Sequence, residues 1–122
     1  SLFQIDEKKR AYNEMFRALD LYSDIYGQWR TYFELWRFNF LDDNLDEAKK
    51  FSKKLINLQP EYPQTYIANL ALEDNKNKGI ALKRKLLELQ PNFTPAMIKN
   101  FHTWIRDDQA TKIINVLKFH LD

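Results

Sequence analysis

The sequence contains no cysteine, and only two glycines and four prolines occur among its 122 residues. The absence of cysteine excludes a disulfide framework and a thiolate metal site. It favours a cytoplasmic location and leaves a periplasmic one open. Strands need frequent turn residues between them, whereas long helices do not. The scarcity of glycine and proline therefore predicts an all-α chain.

The sequence also lacks a strong excess of either charge and a long apolar run. Its 19 basic and 17 acidic residues give a net charge of +2, which does not favour nucleic acid or an anionic membrane as the partner. No apolar run has the length of a membrane span, and no signal peptide is visible. The composition is typical of one soluble domain. Because the chain opens with Ser1 rather than Met, we expect it to be part of a longer protein.

An internal repeat is visible in the second half of the chain. The segments LINLQPEYPQTYIANL (55–70) and LLELQPNFTPAMIKNF (86–101) align without a gap at an offset of 31 residues. A fainter copy lies near Ala11, which precedes Ala48 by 37 residues, and Gly79 then follows Ala48 by 31. The mean offset of about 34 residues is the period of a tetratricopeptide helix pair.

Capping residues and hydrophobic periodicity predict seven helices with short connections between them. The third follows the capping residues Asp43 and Asn44 and ends before Pro60, and the sixth opens at Thr94 and Pro95. The predicted helices cover residues 6–22, 25–41, 45–59, 63–74, 77–89, 94–106 and 107–121. We expect one domain of three repeats, 6–41, 42–74 and 77–106, followed by a capping helix at 107–121.

The segment YGQWRTYFELWRFNF (26–40) is rich in aromatic residues. At about 100° per residue, five of its rings share one face of a helix, which predicts a core stripe. The stripe consists of Trp29, Tyr32, Phe33, Trp36 and Phe40. Leu35 and Phe38 point away from it. A second buried face explains Leu35, while Phe38 could serve either the core or the surface.

The segment LDEAKKFSKKLINLQP (45–60) resembles the second helix of a tetratricopeptide repeat. Ala48 stands where the two helices of the repeat cross, Pro60 is the terminating proline, and Trp29 stands at the usual anchoring position of the first helix. Four positions depart from the pattern of the family: Ser23, Ser52, Gly79 and Lys83. The resemblance implies an all-α, TPR-like α-α superhelix closed by a C-terminal capping helix.

The last part of the chain, LELQPNFTPAMIKNFHTWIRDDQATKIINVLKFHLD (87–122), resembles the closing segment of bacterial tetratricopeptide regions. Those regions are fused to adenylate-cyclase-type or winged-helix transcriptional regulators. The resemblance implies a regulatory, protein-interaction region of a bacterial signalling or transcription protein. Two alternatives remain: a free-standing adaptor or homodimerisation module, and a helical nucleic-acid-binding domain.

The resemblance places the first helix of each pair along a concave groove. We expect that groove to bind a peptide or protein partner that carries acidic groups, because several cations surround a modest apolar floor. The predicted groove residues are Arg30, Glu34, Arg37, Phe38, Gln64, Ile67, Lys99, His102 and Arg106.

Residues that could carry chemistry are few, so we predict no enzyme activity, no cofactor and no metal site. The two histidines, His102 and His120, have no partner at metal-ligand spacing. The pairs Asp42–Asp43 and Asp107–Asp108 stand where helices are predicted to begin, so we interpret them as capping residues. Lysines at 49, 53 and 83 could form a weak nucleic-acid stripe, but interspersed acids argue against it.

Overall fold

The computed structural model describes residues 2–21, 24–100 and 107–121. Every regular element within these ranges is a helix, which confirms the all-α class. Six are α-helices rather than the predicted seven, and one is a 3₁₀ helix. The α-helices are α1 (Leu2–Leu21), α2 (Ile25–Leu41), α3 (Leu45–Leu58), α4 (Pro63–Leu70), α5 (Lys76–Leu89) and α6 (Asp107–Leu121), and the 3₁₀ helix is Pro95–Asn100.

The predicted sixth helix begins at the expected place but not in the expected form. Pro95 opens a 3₁₀ helix that runs to Asn100. A proline fixes φ near −65°, a value that both helix types accept, so the start signal does not distinguish them. The rest of the predicted helix, 101–106, lies outside the described residues.

The predicted end of the fourth helix was also wrong. α4 ends at Leu70 instead of residue 74 because the chain tightens there: Leu72 N–H donates to Asn69 and Glu73 N–H donates to Leu70, both over three residues. The side chain of Asn75 then accepts hydrogen bonds from the backbone amides of Asn77 and Lys78 and so caps the start of α5.

Asp42, Asp43 and Asn44 were predicted to cap the start of α3, and the structure gives them other roles. Asp42 is the C-terminal cap of α2, and Asp43 has a left-handed φ of 59°, a conformation that aspartate tolerates better than most residues. Asn44 precedes α3 as predicted, but its side chain donates to Asn39 instead of capping the helix. The acids in the first turn of α3 are Asp46 and Glu47.

The chain divides into two compact units, Ser1–Pro60 and Glu61–Asp122. In the first unit α2 packs on α3, and α1 lies along α2. The predicted ring stripe forms its core: the ring centroids of Trp29 and Phe33 are 5.3 Å apart, and those of Trp36 and Phe40 are 5.2 Å apart. Tyr32 is only half-buried. The other buried apolar side chains of this unit are Leu35, Ala48, Phe51 and Leu55.

The second unit contains α4, α5, the 3₁₀ helix and α6. One face of α6 is buried through Ala110, Ile113, Ile114 and Leu117, and Leu121 at its end is half-buried. α6 packs on the 3₁₀ helix and also contacts α5 and α4. The remaining buried apolar side chains of this unit are Tyr66, Ile67, Ala68, Leu70, Ala71, Leu86, Phe93 and Ile98.

The two segments aligned at the 31-residue offset share one local backbone geometry. Gln59 has φ −141° and ψ 77°, and its equivalent Gln90 has φ −143° and ψ 81°. Each donates its backbone N–H to a leucine carbonyl four residues earlier, Leu55 or Leu86, and both leucines are fully buried. Each unit therefore contains a helix that ends in the same way and is anchored by an equivalent leucine.

Candidate functional site

The residues predicted to line one groove are divided between the two units. Four lie on α2 in the first unit, and two lie on α4 in the second. Of the latter, Gln64 is half-buried and Ile67 is buried, with 4% of its surface exposed. The side chain of Lys99 and the residues His102 and Arg106 lie outside the described part of the chain. The four residues on α2 are therefore the ones whose surroundings can be compared with the prediction.

In the first unit, Arg30 and Glu34 line a groove of about 560 Å³ whose other wall is α1. Four residues of α1 form that wall. Ala11, Met15 and Ala18 have the spacing i, i+4 and i+7 that places them on one face of a helix, and Glu14 lies beside them. The two alanines are small, so they leave space between the helices. Sequence reasoning missed this wall because it did not match α1 with the surface of α2.

On the α2 side, Tyr26, Gly27 and Thr31 line the groove together with Arg30 and Glu34. Tyr26 is 54% exposed, and its neighbour Ile25 is 56% exposed. Leu21, at the end of α1, is 81% exposed. Large apolar side chains are thus presented to solvent near the groove, whereas Trp29, three residues further along α2, belongs to the core.

The rim of the groove carries both charges. The carboxylate of Asp24 accepts a 2.8 Å hydrogen bond from the Gly27 amide and so caps α2. Glu34 forms a 2.6 Å ion pair with Arg37. Among the described residues, Arg30 and Glu14 form no ion pair. Arg30 is exposed, so its guanidinium is available to a carboxylate, and Glu14 is available to a cation.

Phe38 lies against α1 on the same side of α2. Its ring centroid is 5.6 Å from that of Tyr12, which is in turn 5.0 Å from that of Phe16. Asn39 donates to the carbonyl of Leu35 at 2.8 Å and approaches the hydroxyl of Tyr12 at 3.5 Å. Because its ring packs against Tyr12, Phe38 is half-buried. The sequence signal that could have found its partner is the aromatic pair at i and i+4 on α1.

A second groove lies at this end of the α1–α2 contact. Its volume is about 710 Å³. Its lining is more polar than that of the first groove and consists of Lys9, Tyr12, Asn13, Phe38, Asn39, Asp42 and Asn44. Three of the four predicted residues on α2 thus line two grooves against α1, and the fourth, Arg37, pairs with Glu34.

Groups that could support catalysis or metal binding do not converge in the described part of the chain. No cluster of three or more histidine, aspartate or glutamate side chains suitable for a metal ion occurs there. His120 is buried, and its Nε2–H donates to the carbonyl of Glu73 at 2.6 Å. None of the described helices is long and apolar enough to cross a membrane.

Comparison of the chain with protein-family models, with curated proteins and with solved structures yields no match. Its function is therefore inferred from its residues and their geometry.

Proposed function

We propose that the chain is a tetratricopeptide-like protein-interaction module without catalytic activity, and that it binds a peptide or partner segment in the groove between α1 and α2. The observation that carries this proposal is the groove itself. It is lined by small and apolar groups that include the exposed ring of Tyr26, and Arg30 is available at its rim. Binding sites for peptides commonly combine an apolar surface with a few charged groups that set orientation.

The proposed occupant has two chemical features. An apolar side chain would fill the space beside Ala11, Met15 and Ala18, and a carboxylate would pair with Arg30. Arg37 is less suitable as the second cation, because it already pairs with Glu34 at 2.6 Å. A short acidic, amphipathic segment fits these requirements.

The tetratricopeptide interpretation is supported by the recurrence of the repeat at two levels. The segments at 55–70 and 86–101 share their sequence pattern, and Gln59 and Gln90 share their backbone conformation. The likeness of 87–122 to the closing segments of bacterial regulators supports the finer proposal that the chain is the regulatory region of a signalling or transcription protein. The TPR-like superhelix belongs to the same proposal.

Selection from a random peptide library displayed on phage tests the proposal directly. We expect enriched peptides to carry an apolar residue close to aspartate or glutamate. Arg30→Glu should weaken them at least about tenfold, the effect of losing one charge-assisted contact and adding a repulsion. Ala18→Phe should also weaken them, because the new ring fills the groove.

Arg84→Glu is the matched control. Arg84 is exposed on α5, and its substitution makes the same change of charge in the other unit. Peptides that bind Arg30→Glu and Ala18→Phe as tightly as the unchanged protein would place the site elsewhere. A concentration-dependent mass in size-exclusion chromatography, lost in Tyr26→Ser, would instead favour homodimerisation through the exposed rings.

A further inference from the structure

A second surface of the first unit is strongly basic. Lys49, Lys50, Lys53 and Lys54 are all exposed on α3. Their spacing forms two pairs one helical turn apart, about 6 Å along the axis. We refer to these four residues as the α3 lysine face.

The α3 lysine face is built on a rigid support. The opposite side of α3 is buried through Ala48, Phe51 and Leu55, each at most 1% exposed, and α3 packs on α2. The backbone positions of the lysines are therefore held by a packed core. Their side chains are exposed, and the ammonium of Lys50 lies 5.8 Å from the centroid of the Phe51 ring. An interaction through this face requires no rearrangement of the unit.

None of the four lysines forms an ion pair with another described residue, whereas other cations do. Arg37 pairs with Glu34 at 2.6 Å, and Lys85 lies 3.7 Å from Glu61 and 3.9 Å from Glu88. The acids of α3, Asp46 and Glu47, lie in its first turn, where they complement the helix dipole. The positive charge in the middle and at the end of α3 is thus not neutralised within the described chain.

We infer that the α3 lysine face binds the phosphate backbone of a nucleic acid through charge, without reading the bases. Lysine binds phosphate as a point charge, and a phosphate backbone presents a regular row of such charges. The face has no exposed ring on which a base could stack, since Phe51 is buried. This inference is independent of the α1–α2 groove.

Two other polyanionic partners fit this surface less well. An acidic peptide needs apolar anchors for stable binding, and the only large apolar side chain exposed on α3 is Leu45, at its first position. A membrane-surface helix inserts its apolar side between lipids. The apolar side of α3 is already packed against α2, so insertion would require the unit to open.

The test uses the whole chain and three probes: a fluorescein-labelled mixed-sequence duplex DNA with its separated strand, poly-glutamate, and vesicles containing phosphatidylserine. We expect DNA binding that is insensitive to sequence. Four phosphate contacts predict a slope of log K against log salt of about −3.6 for duplex and −2.8 for the single strand. Raising salt from about 50 to 200 mM should therefore weaken duplex binding by roughly two orders of magnitude.

Lys49→Glu combined with Lys53→Glu should abolish this binding, and Asp46→Asn should strengthen it because it removes an acid beside the face. Lys78→Glu combined with Arg84→Glu is the matched control, since both residues are exposed on α5 and the change of charge is identical. Unchanged DNA binding in the α3 variant, or an equal loss in the control, overturns the inference. So does tighter binding to poly-glutamate or to the vesicles than to DNA at the same ionic strength.

Discussion

The hairpins α2–α3 and α4–α5 carry equivalent sequence signals but differ at a small residue that recurs at an offset of 31 residues. That residue is Ala48 in the first unit and Gly79 in the second, and both are buried. A Cβ placed on Gly79 would lie 2.6 Å from Cε1 of His120 and closer still to its Nδ1. The imidazole from α6 thus occupies the space that an alanine methyl would need. Because it has no side chain, Gly79 leaves room for the imidazole through which α6 packs against α5.

The two cores also differ in chemistry. The first is a column of rings on α2, in which Phe33, Trp36 and Phe40 follow one another with centroids 5.2 Å apart. The second is mainly aliphatic and closes through α6. Its polar contact to the loop before α5 is the 2.6 Å bond between His120 and the carbonyl of Glu73. One unit therefore depends on aromatic packing within α2, and the other on the docking of α6.

The largest expected effect comes from Trp36→Ala in the first unit. Trp36 is fully buried and stacked, so its removal should cost about 3–5 kcal/mol of unfolding free energy through the lost burial and the cavity left behind. Urea denaturation followed by circular dichroism measures the change. Tyr26→Ala, at a ring that is 54% exposed, is the control and should change stability by less than about 0.5 kcal/mol. Equal effects of the two substitutions would show that the ring column is not the core.

A smaller change in unfolding free energy is expected from substitution of Gly79, the position that distinguishes the two hairpins. Helix propensity alone predicts that Gly79→Ala stabilises α5 by about 1 kcal/mol. The added methyl meets the ring of His120 rather than a flexible chain end, so we expect a net destabilisation of about 1–3 kcal/mol. The opposite change in the first unit, Ala48→Gly, should also destabilise, by about 1 kcal/mol, through propensity.

A double-mutant cycle separates these causes. His120→Ala alone loses the bond to Glu73, but in the Gly79→Ala background it removes the clash. The coupling energy between the two positions should therefore be favourable by about 0.5–3 kcal/mol, as measured by urea denaturation of the four proteins. Additive effects, or a stabilised Gly79→Ala protein, would show that α6 does not need the glycine.

Sequence reasoning succeeded where the decisive signal is local. The predicted bounds of α2, 25–41, match the structure because the ring periodicity is regular, and the repeat was found because its prolines and leucines recur. It failed at the end of α4, where three-residue hydrogen bonds at Leu72 and Glu73 replace the helix. Those bonds depend on the chain that follows, and no propensity of residues 71–74 opposes a helix.

The candidate site was predictable only in part for a related reason. Periodicity placed Arg30, Glu34 and Phe38 off the core stripe of α2, and in the structure these residues line grooves. It could not show that α1 forms the opposite walls, because that pairing is a long-range contact between two helix surfaces. The close contact between the His120 ring and Gly79 was missed for the same reason, because the two residues are far apart in sequence.

The smallest expected effect concerns the pH dependence of the second unit. Burial raises the pKa of the Tyr66 phenol above its ordinary value of 10.0, and this outweighs the opposing influence of the Lys85 ammonium. The unfolded chain therefore releases this proton at lower pH than the folded one. The contribution of Tyr66 to the free energy of unfolding should be fully present below pH 10 and should fall as pH rises from there through the folded-state pKa.

Melting temperatures measured from neutral pH to above pH 10 should show a steeper alkaline decrease in the unchanged protein than in Tyr66→Phe, which cannot ionise. Tyr26→Phe, at an exposed ring, should retain the full decrease. Parallel curves for the unchanged protein and Tyr66→Phe would contradict the assignment, because the phenol would then ionise equally in the folded and unfolded states.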